Sequence, residues 1–166
     1  MKNLIIGLFI FGLTTQVFSQ VIELPEVFIS PVNYKYLYTV NSEDNDPKVA
    51  GLERKVAQFD VTKEDYYDDD YDGYTVSFYI PSGSVVAAYD KDGKLLRTIE
   101  RFKNVKLPTA VQNAIAKRFP NWSMTKDSYQ VSYNDDNSTA KKIYKVKLTN
   151  GEKSMKVKTD EAGNFL

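Results

Sequence analysis

The stretch Lys142–Thr159, KIYKVKLTNGEKSMKVKT, decides the fold. Tyr144, Val146 and Leu148 alternate with Lys145 and Lys147, and beyond Asn150-Gly151 Met155 and Val157 alternate with Lys156 and Lys158. A period of two belongs to a strand with one face buried and the other in water. Asn-Gly between two such runs is a hairpin signal, because both residues tolerate the positive φ of a type I′ turn. A two-residue loop at Asn150-Gly151 sets Val146 opposite Met155, Tyr144 opposite Val157 and Lys145 opposite Lys156. The apolar faces then coincide, which predicts an antiparallel sheet with an apolar side and a lysine side.

The same pattern extends upstream. SYQVSY (128–133) reads as the preceding strand, and LPTAVQNAIAKRF (107–119) as a helix with Pro108 at its start, Val111, Ala114, Ile115 and Phe119 on one face, and Pro120 ending it. In GYTVSFYI (73–80), Tyr74, Val76, Phe78 and Ile80 alternate with Thr75, Ser77 and Tyr79. Pro81-Ser82-Gly83 turns the chain into SVVAAY. DKDG turns it again, with Gly93 free to take positive φ, into KLLRTIERF. Before these strands, DPKVAGLERKVAQF (46–59) has Asp46 as a cap, Pro47 in the first turn, and Val49, Leu52, Val56 and Phe59 on one face. The expectation is an α+β domain: an antiparallel sheet with two helices on one face, built as tandem helix-plus-meander repeats over about 33–96 and 97–166.

The N-terminus, MKNLIIGLFIFGLTTQVFSQ, carries one charge at Lys2, an apolar run from Leu4 to Leu13, and Val17-Phe18-Ser19 before Gln20. This is the pattern of a signal peptide over residues 1–19, cleaved after Ser19. Its apolar core is half of the roughly 20 residues a membrane helix needs, so stable membrane insertion is not expected. The chain has no cysteine to carry a lipid. A periplasmic or secreted protein of one domain, residues 20–166, is the expectation, and its length is ample for a core without disulfide staples.

The absent residues narrow the chemistry. With no His and no Cys, a Ser-His pair, a thiolate nucleophile and a His-ligated zinc are unavailable. The eight glycines are scattered, with neither a P-loop nor a dinucleotide fingerprint. No catalytic residue and no cofactor is therefore assigned. A carboxylate-pair enzyme is the one class the composition allows, and no spacing singles out such a pair. A formal net charge of zero argues against a general nucleic-acid binder. It conceals an asymmetry: eleven acids from Glu43 to Asp72, then sixteen Lys or Arg against eight Asp or Glu from Lys91 onward.

YDKDGKLLRTIERFKNVKLPTAVQNAIAKRFPNW (89–122), followed by KVKLTNG (145–151) and KVKTDEAGNFL (156–166), resembles the PepSY-like, β-lactamase-inhibitor-like proteins exported by Bacteroidetes-type bacteria. The likeness covers Ser84–Leu166, and Gln20–Asp72 agrees only in element order. It implies an antiparallel sheet of tandem repeats with helices on one face, and a non-enzymatic role in binding or inhibiting another protein. Inhibitors of this kind act through surface loops without a fixed motif, so the resemblance carries over no functional residue.

Two local features remain. In EDYYDDDYDGY (64–74), Asp68, Asp70, Asp72 and Gly73 reproduce the first half of a calcium loop, whose twelfth position, normally a bidentate Glu, is Tyr79. The segment reads as a weak metal site or as a solvated acidic loop, and Tyr66, Tyr67 and Tyr71 within it as contacts for a partner or as sheet packing. The second is the lysine face, Lys145, Lys147, Lys156 and Lys158, either a solvated guard against aggregation or a surface for an acidic exported or envelope protein. With both helices on one side of the sheet, these lysines should share the open side with Thr75, Ser77 and Tyr79. The expected function is a protein-binding or inhibitor-like module. The alternatives are a structural or weakly calcium-responsive envelope protein and a carboxylate-based glycan-active protein.

Overall fold

The computed structural model describes residues 33–42 and 44–166; the expected leader and its cleavage position lie outside the described residues. Six strands, β1 (Gly73–Ile80), β2 (Gly83–Asp90), β3 (Leu95–Lys103), β4 (Ser123–Asn134), β5 (Thr139–Asn150) and β6 (Lys153–Thr159), form one antiparallel sheet in sequence order. The helices are α1 (Tyr34–Val40), α2 (Pro47–Gln58) and α3 (Thr109–Arg118). The α+β class and the antiparallel sheet agree with the sequence reading.

Among the described residues, three α-helices rather than two are present. The sequence reading assigned no element to residues 33–42, where NYKYLYTV (33–40) is rich in Tyr, Thr and Val, residue types favoured in strands. Burial overrides that composition: Tyr36 and Val40, one helical turn apart, are buried, whereas Tyr34 and Tyr38 are exposed and stack at 6.3 Å. The two expected helices form as read. The Asp46 carboxylate accepts a hydrogen bond from the Lys48 amide at 2.8 Å, Pro47 occupies the first turn, and Val49, Leu52 and Val56 are buried. On α3, Val111 and Ile115 enter the core.

Strand alternation sorts the side chains onto two faces. Val85, Ala87 and Tyr89 of β2, Phe102 of β3, Tyr129, Val131 and Tyr133 of β4, and Tyr144, Val146 and Leu148 of β5 are buried in one core with the helical residues. The rings of Tyr129 and Tyr144, direct partners across β4 and β5, stack at 4.4 Å. Removing a large apolar side chain of this kind from water stabilises the fold by roughly 2–3 kcal/mol. Trp122 is half-buried against the same core.

The last hairpin differs from its expected register by two residues. Asn150 pairs with Lys153, so the loop is Gly151-Glu152, and Val146 faces Val157, Leu148 faces Met155, Lys145 faces Lys158 and Lys147 faces Lys156. Positive φ falls on Gly151 alone (57°), the demand of a type II′ turn with Gly at its first central position, rather than on both Asn150 and Gly151. An even shift exchanges partners and leaves every side chain on its face.

The order helix, strand, strand, strand occurs twice, and β3 runs across the 96/97 division, so the second round begins after Lys103. Polar contacts close the first round and join it to the second. Asn33 donates to the Gly93 carbonyl (3.3 Å) and accepts from the Leu95 amide (2.8 Å). Asp135 receives Lys35 of α1 at 2.8 Å and Lys94 of the β2–β3 turn at 2.7 Å, and these cations hold its carboxyl at about 2, well below the usual range. Asp44 bridges to Lys106 at 2.6 Å and accepts from the Thr109 amide, tying the approach to α2 to the start of α3.

Candidate functional site

The helices leave one side of the sheet open, and strand parity determines what stands there. Arg97, Arg101 and Lys103 on β3, Lys126 on β4, Lys141, Lys145 and Lys147 on β5, and Lys156 and Lys158 on β6 all take outward positions. The one outward acid is Asp90 at the end of β2, whose carboxylate is folded back onto the amides of Asp92 (3.0 Å) and Lys94 (2.8 Å). None of the nine cations enters an ion pair among the described residues; the bridges present all lie elsewhere. Lys145–Lys158, Lys147–Lys156 and Lys126–Lys147 are direct cross-strand neighbours. Each such like-charge pair costs about 0.5 kcal/mol, and nothing within the described chain offsets it.

This face also carries apolar side chains. Tyr79 (74% exposed), Val86 (38%) and Ile99 (51%) point outward, Val86 and Ile99 as direct partners. A shallow depression of about 300 Å³ lies between Ile99, Arg101, Gln130, Ser132, Lys141 and Ile143. Apolar contacts surrounded by unpaired cations suit an anionic macromolecular surface.

The structure brings Lys145, Lys147, Lys156 and Lys158 together, and Thr75, Ser77 and Tyr79 share their side of the sheet. Sequence reading missed Arg97, Arg101, Lys103, Lys126 and Lys141. The signal was present in LLRTIERFK, where Arg97 and Arg101 alternate with Thr98, Glu100 and Phe102.

Tyr66, Tyr67 and Tyr71 are not part of this face. They precede β1, whereas the lysine hairpin is β5 and β6, about 20 Å away at four or five strand spacings. All three gather on Tyr74, at ring distances of 6.3, 5.7 and 6.2 Å, and the Tyr74 hydroxyl donates to the Asp68 carbonyl at 2.5 Å. The acidic groups within 4.8 Å of one another are Asp68, Asp69 and Asp70; Asp72, the third acid of the calcium-loop pattern, stands apart. All three are exposed, and the Asp68 carboxylate accepts from the Asp70 amide at 3.0 Å, as in an acidic turn.

A carboxylate pair that the sequence did not single out lies in the core. Glu53 on α2 and Glu100 on β3 are both 0% exposed. Glu100 Oε1 accepts from the Tyr36 hydroxyl at 2.9 Å and the Thr98 hydroxyl at 2.7 Å. Burial pushes both carboxyls up, Glu53 to about 8. The two groups are within hydrogen-bonding reach of each other, and Glu53 Oε1 and Glu100 Oε2 have no other partner among the described residues, so a proton retained by the pair supplies the donor that the buried carboxyls lack. The sealed pair is closed to a glycan in this conformation. Its signals in the sequence were Glu53 at the buried spacing of Val49 and Val56, and Glu100 between inward Thr98 and Phe102.

No protein-family model matches the chain, and no curated protein matches it. Among the described residues, no helix is long and apolar enough to cross a membrane.

Proposed function

We propose that this protein is an exported, non-catalytic binding module that docks an acidic protein on the open face of its sheet. One observation carries the reading: nine outward Lys and Arg side chains, three cross-strand pairs of like charge among them, stand without an ion-pair partner among the described residues. An acidic partner relieves that repulsion on binding, and Tyr79, Val86 and Ile99 supply apolar contact. The resemblance to PepSY-like, β-lactamase-inhibitor-like exported proteins and the leader-like N-terminus support the same reading.

The decisive variant is Lys145→Glu with Lys156→Glu. Each change turns a like-charge pair into an opposite pair, with Lys158 and Lys147 respectively. The fold should gain about 1 kcal/mol in denaturant unfolding while binding weakens. Titration with a poly-glutamate peptide as a minimal acidic probe, at two salt concentrations, should show at least about a tenfold loss in affinity and a shallower salt dependence. Undiminished binding by the folded double variant would leave the face as solvated surface only.

A further inference from the structure

The two edges of the sheet are treated differently. β6 carries Lys156 and Lys158, and the C-terminal residues return along it: Thr159 bridges Phe165, and the Leu166 amide donates to the Lys158 carbonyl at 3.0 Å. Charged side chains and a covering segment are standard protections of a free edge. β1, at the other edge, carries no charged side chain and, among the described residues, no covering segment. GYTVSFYI contains no charge and no proline, pairs with β2 without a bulge, and among the described residues has no second neighbour.

Its backbone is arranged to accept one. Ile80 and Gly83 close the Pro81-Ser82 loop, so that pair exchanges ladder bonds, and alternation assigns Phe78, Val76 and Tyr74 to β2 as well. Thr75, Ser77 and Tyr79 then direct their amides and carbonyls away from the sheet. The inward side chains agree, since Tyr74, Val76, Phe78 and Ile80 are only half-buried beside the sealed Val85, Ala87 and Tyr89 of β2.

The two ends of β1 carry opposite charge. The acidic loop leads into Gly73. Beyond Ile80 lies a cleft of about 400 Å³ with an apolar lining of Leu52, Ile80 and Pro81, rimmed by Lys48 and Lys55 and opened by Gly51, where an added Cβ would meet nothing within 4 Å. The Ser82 hydroxyl at this cleft is buried without a partner.

We propose that β1 pairs antiparallel with β1 of a second copy across a twofold axis near Ser77. Antiparallel pairing sets the acidic end of each strand against the lysine-rimmed end of the other, twice per dimer. The pairing accounts together for the unguarded edge, the acidic tyrosine loop and the cleft, and it joins the two open basic faces into one.

Sedimentation velocity on the purified protein, from about 1 to 100 µM, should show a concentration-dependent dimer. Ser77 is exposed, and Ser77→Lys places a charge at the centre of the edge without touching the β1–β2 ladder. That variant should raise the dimer dissociation constant at least about tenfold with an unchanged far-UV spectrum. Lys55→Glu should also weaken the dimer, and adding Asp70→Lys should recover part of the loss. A monomer throughout the range overturns the proposal, as does a dimer indifferent to Ser77→Lys. Neither result bears on poly-glutamate binding, which the open face of a single copy provides.

Discussion

At the residue scale, Glu53 controls how stability responds to pH. Its folded carboxyl is raised to about 8 and its unfolded one titrates near 4.5, so the folded state holds a proton that the unfolded state has lost between those values. Stability from this group is therefore fully present below about 4.5 and is lost as the pH rises through about 8, the reverse of an ion-paired carboxylate. Melting temperatures measured from pH 5 to 9 should fall with pH, and Glu53→Gln, which keeps a donor for Glu100 without an ionisable group, should flatten that dependence and melt higher than the parent at pH 9. Asp135 acts in the opposite direction. Held at about 2 by Lys35 and Lys94, it contributes stability above the ordinary Asp range that is lost on acidification. The sequence showed the alternation that makes Glu100 inward. It did not show that α2 would set Glu53 over it, because that is a contact between elements.

At the element scale, the acidic loop and the C-terminal return differ in how much structure depends on them. Asp68, Asp69 and Asp70 are exposed and Asp72 is not among them, so added calcium should raise the melting temperature by no more than about 2 °C, little enough to imply negligible binding. A rise near ten degrees that Asp70→Asn abolishes would establish a real calcium site. Gly163 is constrained far more tightly. Its φ is +85°, and an added Cβ would lie 2.7 Å from the Ala110 carbonyl oxygen and 2.9 Å from the Ala114 Cβ on α3. Gly163→Ala should cost about 2 kcal/mol or more and lower the melting temperature by roughly 5 °C. The strands and the two longer helices were legible in the sequence because period and caps are local signals. α1 was not, since seven residues of strand-like composition become helical only when Tyr36 and Val40 are buried by β4 and β5. The face of each lysine in the last hairpin was legible although its register was not, because a two-residue slip preserves parity.

At the scale of the whole molecule, a formally neutral chain separates its charge by position: a basic sheet face, an acidic loop at one corner, and, among the described residues, ion pairs that each have at least one partner in a connection between elements. The charge asymmetry was visible along the sequence, and its concentration on one surface followed only from strand order. That same order has a consequence for assembly. Every ladder joins consecutive strands, so each hairpin can close as soon as its second strand is available, with little loop-closure entropy to overcome. α1 is the exception. Its Tyr36 and Lys35 reach partners 64 and 100 residues further along, at Glu100 and Asp135. A chain emerging N-terminus first must wait for nearly the last strands before residues 34–40 can dock and become helical, so α1 works as a clasp that closes only on a finished sheet.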